Sequence, residues 1–339
     1  DNNIKQTKEY FDTAFTEWLF NIHFIKLKET SKNTYESIYR VHIKKCELSD
    51  IKVNDLCVAD FQRYYNNLIK KGVTPYTVRQ VHRLINPFIR YLYDNDIIIK
   101  NFARAIQLPK ENEKTKLEKA DRINPFTLEE QKKFIQIIKG NVYEVLFLTA
   151  LYSGLRRGEI LALTWDDINF DECYIDVNKT TSRIKSVSEE GRGESKSIVQ
   201  TPKTKGSIRK VNIPISLVNV LRKYKIKQAE TILKSNGIYQ NNNLVFANRK
   251  GQYLSPSHVV GKLKEVLANN GMEERRFHDL RHTYATRLFE LGESPKKVQT
   301  LLGHSNISIT LNTYTHVLED EKEKTVSKLE NLFNEIEAK

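Results

Sequence analysis

The feature that most constrains this chain is the stretch PKENEKTKLEKADRINP at positions 109–125. It is charged, poor in apolar residues and bracketed by prolines, so it can neither feed a core nor continue a helix. It divides the chain into a segment at 1–108 and a segment at 126–339, each of which must bury an apolar face of its own. The total of 339 residues suits about two domains at ~150 residues each.

The first segment reads as helical. In TPYTVRQVHRLINPFIRYL, Thr74 is an N-cap, Pro75 takes the first helical position, and Val78, Val81, Ile85, Phe88 and Leu92 form one stripe. Pro87 inside that helix predicts a kink. VADFQRYYNNLIKKG repeats the pattern with Val58, Phe61, Tyr65 and Leu68, and Gly72 supplies the stop.

The second segment opens on the capping box Thr127-Leu-Glu-Glu130 and continues as apolar helices from Val142 to Trp165. The character changes after WDDINFDE. CYIDV and RKVNIPI are short and β-branched, and a polar insert separates them, which predicts a small antiparallel sheet with an extended hairpin. Helices resume near Ser216. Val326, Leu329, Phe333 and Ile336 then place an apolar stripe on a charged C-terminal helix. The expected fold class is mainly α with a small antiparallel β-sheet (α+β).

Composition narrows the function. Lys and Arg number 55 against 42 Asp and Glu, a formal charge of +13, which favours a polyanionic partner and nucleic acid above all. The apolar run VLFLTALYSG falls short of the ~20 residues of a spanning helix, so no membrane is expected. Cys46, Cys57 and Cys173 have neither disulfide nor zinc spacing, as suits a reducing cytoplasm. The chain opens at Asp1 with Met272 as its one methionine, and is read as a fragment or processed form.

Four places concentrate groups suited to a phosphodiester. In SGLRRGEILALTWDDI, Arg156 follows a Ser-Gly turn and opens a helix, where its fork could face a phosphate. It could equally be a surface arginine or a partner of Glu159. TPKTKGSIRKVNIP is a basic turn in which Lys203 or Lys205 could deliver a proton to a leaving oxygen. With Arg209 and Lys210 it could instead contact the DNA backbone.

In RRFHDLRHTYATRLFELG, His278 and Arg281 share a helix face, as either a catalytic pair or a structural one. No HExxH metal pattern occurs. In LLGHSNISITLNTYTH, His304 precedes Tyr314, whose spacing alone suits core or surface. Its phenol becomes a nucleophile only where a base or a strong positive field assists.

Taken in order, SGLRRGEILALTWDDI, the hairpin lysine, HDLRHTYAT and LLGHSNISITLNTYTH resemble the tyrosine recombinases, especially integrases of conjugative transposons and temperate phages. The match lies within roughly 150–316. The amino-terminal helices resemble that family's core-binding domain more loosely. The resemblance implies Arg156 and Arg281 as phosphate clamps, Lys203 as general acid and His278 as acid/base. It implies His304 as a transition-state hydrogen-bond donor and Tyr314 as nucleophile. Lys205 competes with Lys203, and Lys205, Arg209 and Lys210 are candidate DNA contacts.

The implied chemistry uses no metal and no cofactor. Tyr314 forms a 3′-phosphotyrosyl link, and two strand exchanges through a Holliday junction join two duplexes, which calls for four protomers. A bacterial cytoplasmic enzyme acting on attachment or transposon-end sites is implied, with an accessory excision or DNA-bending protein as a possible partner. The insert from Ser182 to Gln200 departs from the family pattern, as a DNA-contacting extension or an elongated turn. A topoisomerase of the same chemistry and a DNA-binding protein without catalysis are the competing readings.

Overall fold

In a computed structural model, the described residues are 7–110, 123–201, 205–235 and 237–314, with positions 330, 333, 334 and 336. The architecture is mainly helical with a small antiparallel sheet, as the sequence implied. The chain resolves into two compact units. One holds residues 1–118 and 184–196; the other holds 119–183 and 197–339.

In the first unit the helices are α1 (Phe11–Glu17), α2 (Glu29–Ile38), α3 (Val58–Lys70) and α4 (Pro75–Asp94). Thr74 Oγ1 accepts from the Thr77 amide at 3.2 Å, and Pro75 occupies the first turn where no amide partner is needed. The helix runs on through Pro87 to Asp94. Its stripe of Val78, Val81, Ile85, Phe88 and Leu92 is buried. Phe88 is the aromatic centre, 4.9 Å from the Phe15 ring and 5.7 Å from that of Phe11, both roughly edge-on.

Residues 184–196 add a polar attachment to this unit. Asn33 of α2 pairs with Lys185 as a strand would, accepting from its amide at 2.8 Å and donating to its carbonyl at 2.7 Å. Arg192 forms an ion pair with the buried Glu36.

The second unit begins with α5 (Leu128–Ile137), whose capping box is complete. Glu130 donates its amide to Thr127 Oγ1 and accepts the Thr127 amide in return, at 3.2 and 2.9 Å. Then come α6 (Glu144–Ser153) and the short α7 (Arg157–Ile160). The face-independent apolar pattern of α6 follows from its position in the core, where Leu146, Phe147, Leu148, Ala150 and Leu151 are all buried.

Strands β1 (Ile168–Asn169), β2 (Tyr174–Val177) and β5 (Arg209–Asn212) form an antiparallel sheet ordered β1-β2-β5, with Ile175 opposite Val211. Between them β3 (Thr180–Ser188) and β4 (Gly191–Gln200) make the long hairpin. The remaining helices are α8 (Ile215–Leu233), α9 (Pro256–Asn269), α10 (Phe277–Glu290), α11 (Pro295–Leu302) and α12 (Ile307–Thr313).

Helix α10 passes through the middle of this unit. It is tied to the start of the unit by Thr283 Oγ1, which accepts the Phe126 amide at 2.9 Å, and by Arg287, which donates to the Phe126 carbonyl at 2.7 Å. In the expected C-terminal stripe, Val326 and Leu329 lie outside the described residues, and Phe333 and Ile336 are exposed.

Candidate active site

Gly154 closes α6 in the left-handed region (φ 61°), and a β-carbon there would meet the Tyr284 ring at 2.3 Å. Only glycine fits, and the sharp turn it makes presents Arg156 as the cap of α7. Glu159, 3% exposed, receives the Arg156 amide at 2.9 Å and its Nη1 at 2.8 Å. The pairing with Glu159 left open by the sequence therefore exists, and it holds an arginine whose side chain stays 36% exposed.

Three arginines from three elements cap three successive carbonyls at the end of α11. Arg209 Nε donates to Leu301 at 2.8 Å, Arg281 Nη2 to Leu302 at 2.6 Å and Arg156 Nη2 to Gly303 at 2.8 Å. Arg281 also donates through Nη1 to the Gly154 carbonyl at 2.8 Å. Carbonyls at a helix C-terminus lack intrahelical partners and carry the negative end of the dipole, so cations suit them. The same contacts fix the turn that carries His304.

His304 sits at that turn with Nδ1 2.9 Å from Thr310 Oγ1, and its carbonyl accepts from Gln299 Nε2 at 3.0 Å. Burial first, then Arg281 and Arg156, push its pKa down to about 3. His278 is exposed and lines an open basin with Arg156, Arg157, Thr180, Arg183 and Arg276. Desolvation, followed by the neighbouring His282 and Arg281, pushes its pKa below the ordinary imidazole range. Both imidazoles are thus neutral at neutral pH, while Arg281, lowered by burial and by Arg156, keeps its charge.

Tyr314 follows α12 and is 1% exposed, packed against Phe289 with ring centroids 5.3 Å apart. Its hydroxyl lies 2.8 Å from His282 Nδ1. Burial pushes the phenol's pKa up, and Arg281 opposes that shift. The tyrosine is core filling and part of a polar cluster at once.

The second unit thus brings together Arg156, His278, Arg281, His304 and Tyr314. Lys203 lies outside the described residues, as does the side chain of Lys205. Arg209, a candidate DNA contact, has a side chain only 6% exposed, with Glu159 bound to both Nη atoms at 3.3 and 3.1 Å. Lys210 remains exposed, 4.3 Å above the Tyr174 ring.

Two residues of the cluster had no assigned place in it from sequence, Glu159 as a shared anchor and His282 as the phenol's partner. For His282 the available signal was its i,i+4 spacing from His278, and the rings do meet edge to face at 4.8 Å. Among the described residues, no group of three or more His, Cys, Asp or Glu side chains is placed to hold a metal ion. No described helix is long and apolar enough to cross a membrane.

The phage integrase family matches residues 124–321. Over 321 residues the chain is 38% identical to a tyrosine recombinase XerC-like protein of Caldanaerobacter subterraneus, covering 93% of this chain and 81% of that one. The ICEBs1 integrase of Bacillus subtilis is 25% identical over 334 residues, covering 91% and 85%. Among solved structures, the Tn1549 transposon integrase in complex with a circular intermediate DNA superposes with a TM-score of 0.68 at 19% identity, covering 94% of this chain and all of that one. At that identity the likeness speaks for the fold alone.

Proposed function

The chain belongs to the phage integrase family, the tyrosine recombinases that cleave and rejoin DNA strands, and on that footing we propose that Tyr314 is its nucleophile. The observation that carries the assignment is the convergence of two arginines, two histidines and one tyrosine at the end of α11. Recombination, not topoisomerase activity or passive DNA binding, is the reading the relatives favour.

In the proposed reaction, Tyr314 Oη bonds to phosphorus and the 5′ oxygen leaves with a proton from Lys203, giving a 3′-phosphotyrosyl link. Arg156 and Arg281 turn their N–H groups from the α11 carbonyls to the non-bridging oxygens, where charge develops. His304 donates a hydrogen bond to the same oxygens, and His278 serves as acid/base from the basin side. A 5′ hydroxyl from a partner strand reverses the step and completes exchange, so the bond energy is conserved without ATP.

Double-stranded DNA is the proposed partner, supported by the +13 charge and by the DNA in the Tn1549 integrase complex. We assign core-site DNA binding to residues 1–108 and catalysis to 126–339, joined by the 109–125 linker. Four protomers on two sites, an accessory excision or DNA-bending protein, and a bacterial cytoplasmic setting complete the proposal. A nicked suicide duplex carrying the recombination site tests it. A covalent protein–DNA adduct supports the enzyme, and its absence on a bound site refutes it.

A further inference from the structure

Cleavage requires the Tyr314 phenol to lose a proton; none of the roles given to Arg156, Arg281 or Lys203 receives it, and the acid/base role given to His278 lies on the basin side. Guanidinium groups do not accept protons. His304 Nδ1 is engaged with Thr310. His278 lies one turn before His282, and the structure gives it no bond to the phenol. Among the described residues, the side chain bonded to the Tyr314 hydroxyl is His282, through Nδ1 at 2.8 Å, with both groups buried.

We propose that His282 is a further catalytic residue, the base that takes the phenolic proton as Tyr314 bonds to phosphorus and the acid that returns it when the strands rejoin. The inference rests on the reading of Tyr314 as nucleophile. In the forward step the Tyr314 Oη–P bond forms and the P–O5′ bond breaks. The phenolic proton moves to His282 Nδ1, while the 5′ oxygen takes a proton from Lys203. In rejoining, each transfer runs backward, as microscopic reversibility demands.

The surroundings suit this division. Burial, then Arg276, Arg281 and His304, hold His282 neutral with a pKa of about 4, so Nδ1 is free of charge at neutral pH. Burial keeps the phenol protonated in the same surroundings. The proton therefore rests on Tyr314 until a phosphate is attacked, and transfer accompanies bond formation instead of preceding it. This arrangement spares a buried tyrosinate in the DNA-free enzyme.

Single-turnover cleavage of the nicked suicide duplex by His282→Asn and His282→Ala tests the assignment. Asparagine can still hydrogen-bond the phenol but cannot take its proton. Both variants should bind the duplex with wild-type affinity and cleave it at least ~10²-fold more slowly. The defect should persist on a 5′-bridging phosphorothiolate, whose thiolate leaves without a proton, and added imidazole should restore the alanine variant. Wild-type cleavage by His282→Asn, full recovery of that variant on the phosphorothiolate, or no imidazole rescue would overturn the proposal. Should wild-type protein itself form no adduct through Tyr314, the functional reading fails rather than this assignment alone.

Discussion

Arg209 holds both carboxylate oxygens of Glu159, at 3.3 and 3.1 Å, in a pair almost sealed from solvent. Glu159 in turn anchors Arg156, so a residue of β5 supports an arginine of α7 through one shared carboxylate. Arg209→Met should destabilise the protein by about 3 kcal/mol, the cost of breaking a buried pair. Urea denaturation measures that. A support leaves the salt dependence of DNA binding unchanged, whereas Lys210→Ala, which removes a proposed phosphate contact, should reduce its slope by ~0.9. A reduced slope for Arg209→Met would make it a DNA contact after all.

The carbonyls that Arg156 and Arg281 cap stand in for the phosphate oxygens that these residues are proposed to bind. Replacing either arginine by alanine should slow cleavage by ~10²-fold or more, the usual loss on removing one preorganised donor. Single-turnover kinetics at saturating protein separates this from weakened binding. Unaltered cleavage removes that residue from the site.

Lys203 and Lys205 differ in what a bridging sulfur does for their variants. Lys203→Ala should slow cleavage of an ordinary duplex far more than that of the 5′-phosphorothiolate, because the general acid is dispensable only for the second substrate. Lys205→Ala should slow neither selectively. The reverse pattern transfers the role to Lys205.

The buried imidazoles predict a pH dependence of stability in the DNA-free protein. His282 and His304 are held near 4 and 3, against 6.5 for the unperturbed side chain. Between these values the unfolded chain binds protons that the folded chain refuses, so stability rises with pH. It is complete above pH 6.5 and is lost as pH falls through the folded pKa values. Urea midpoints should therefore drop as pH is lowered through this window, and His282→Asn should flatten the curve. A midpoint independent of pH there would contradict the assigned neutrality.

What the sequence revealed and what it concealed divide by range of interaction. Thr74, Thr127 with Glu130, and the Gly154 turn before Arg156 were legible because each is satisfied within a few residues. The polar order from Arg156 to Tyr314 was legible as a family resemblance. Arg209 was not, since a basic strand residue reads as surface and its carboxylate partner is 50 positions away. His282 met Tyr314 across 32 positions, a pairing no local pattern encodes. The attachment of residues 184–196 to α2 was equally invisible, because Asn33 and Glu36 meet Lys185 and Arg192 across more than 150 positions.

The most direct measurement is to trap the covalent adduct on the nicked duplex, digest it, and identify the modified peptide and the linked DNA end by mass spectrometry. The account predicts one 3′-phosphoryl linkage, on Tyr314, and no adduct from a Tyr314→Phe protein that binds the duplex normally. An adduct on any other residue, or one that survives in Tyr314→Phe, would contradict it.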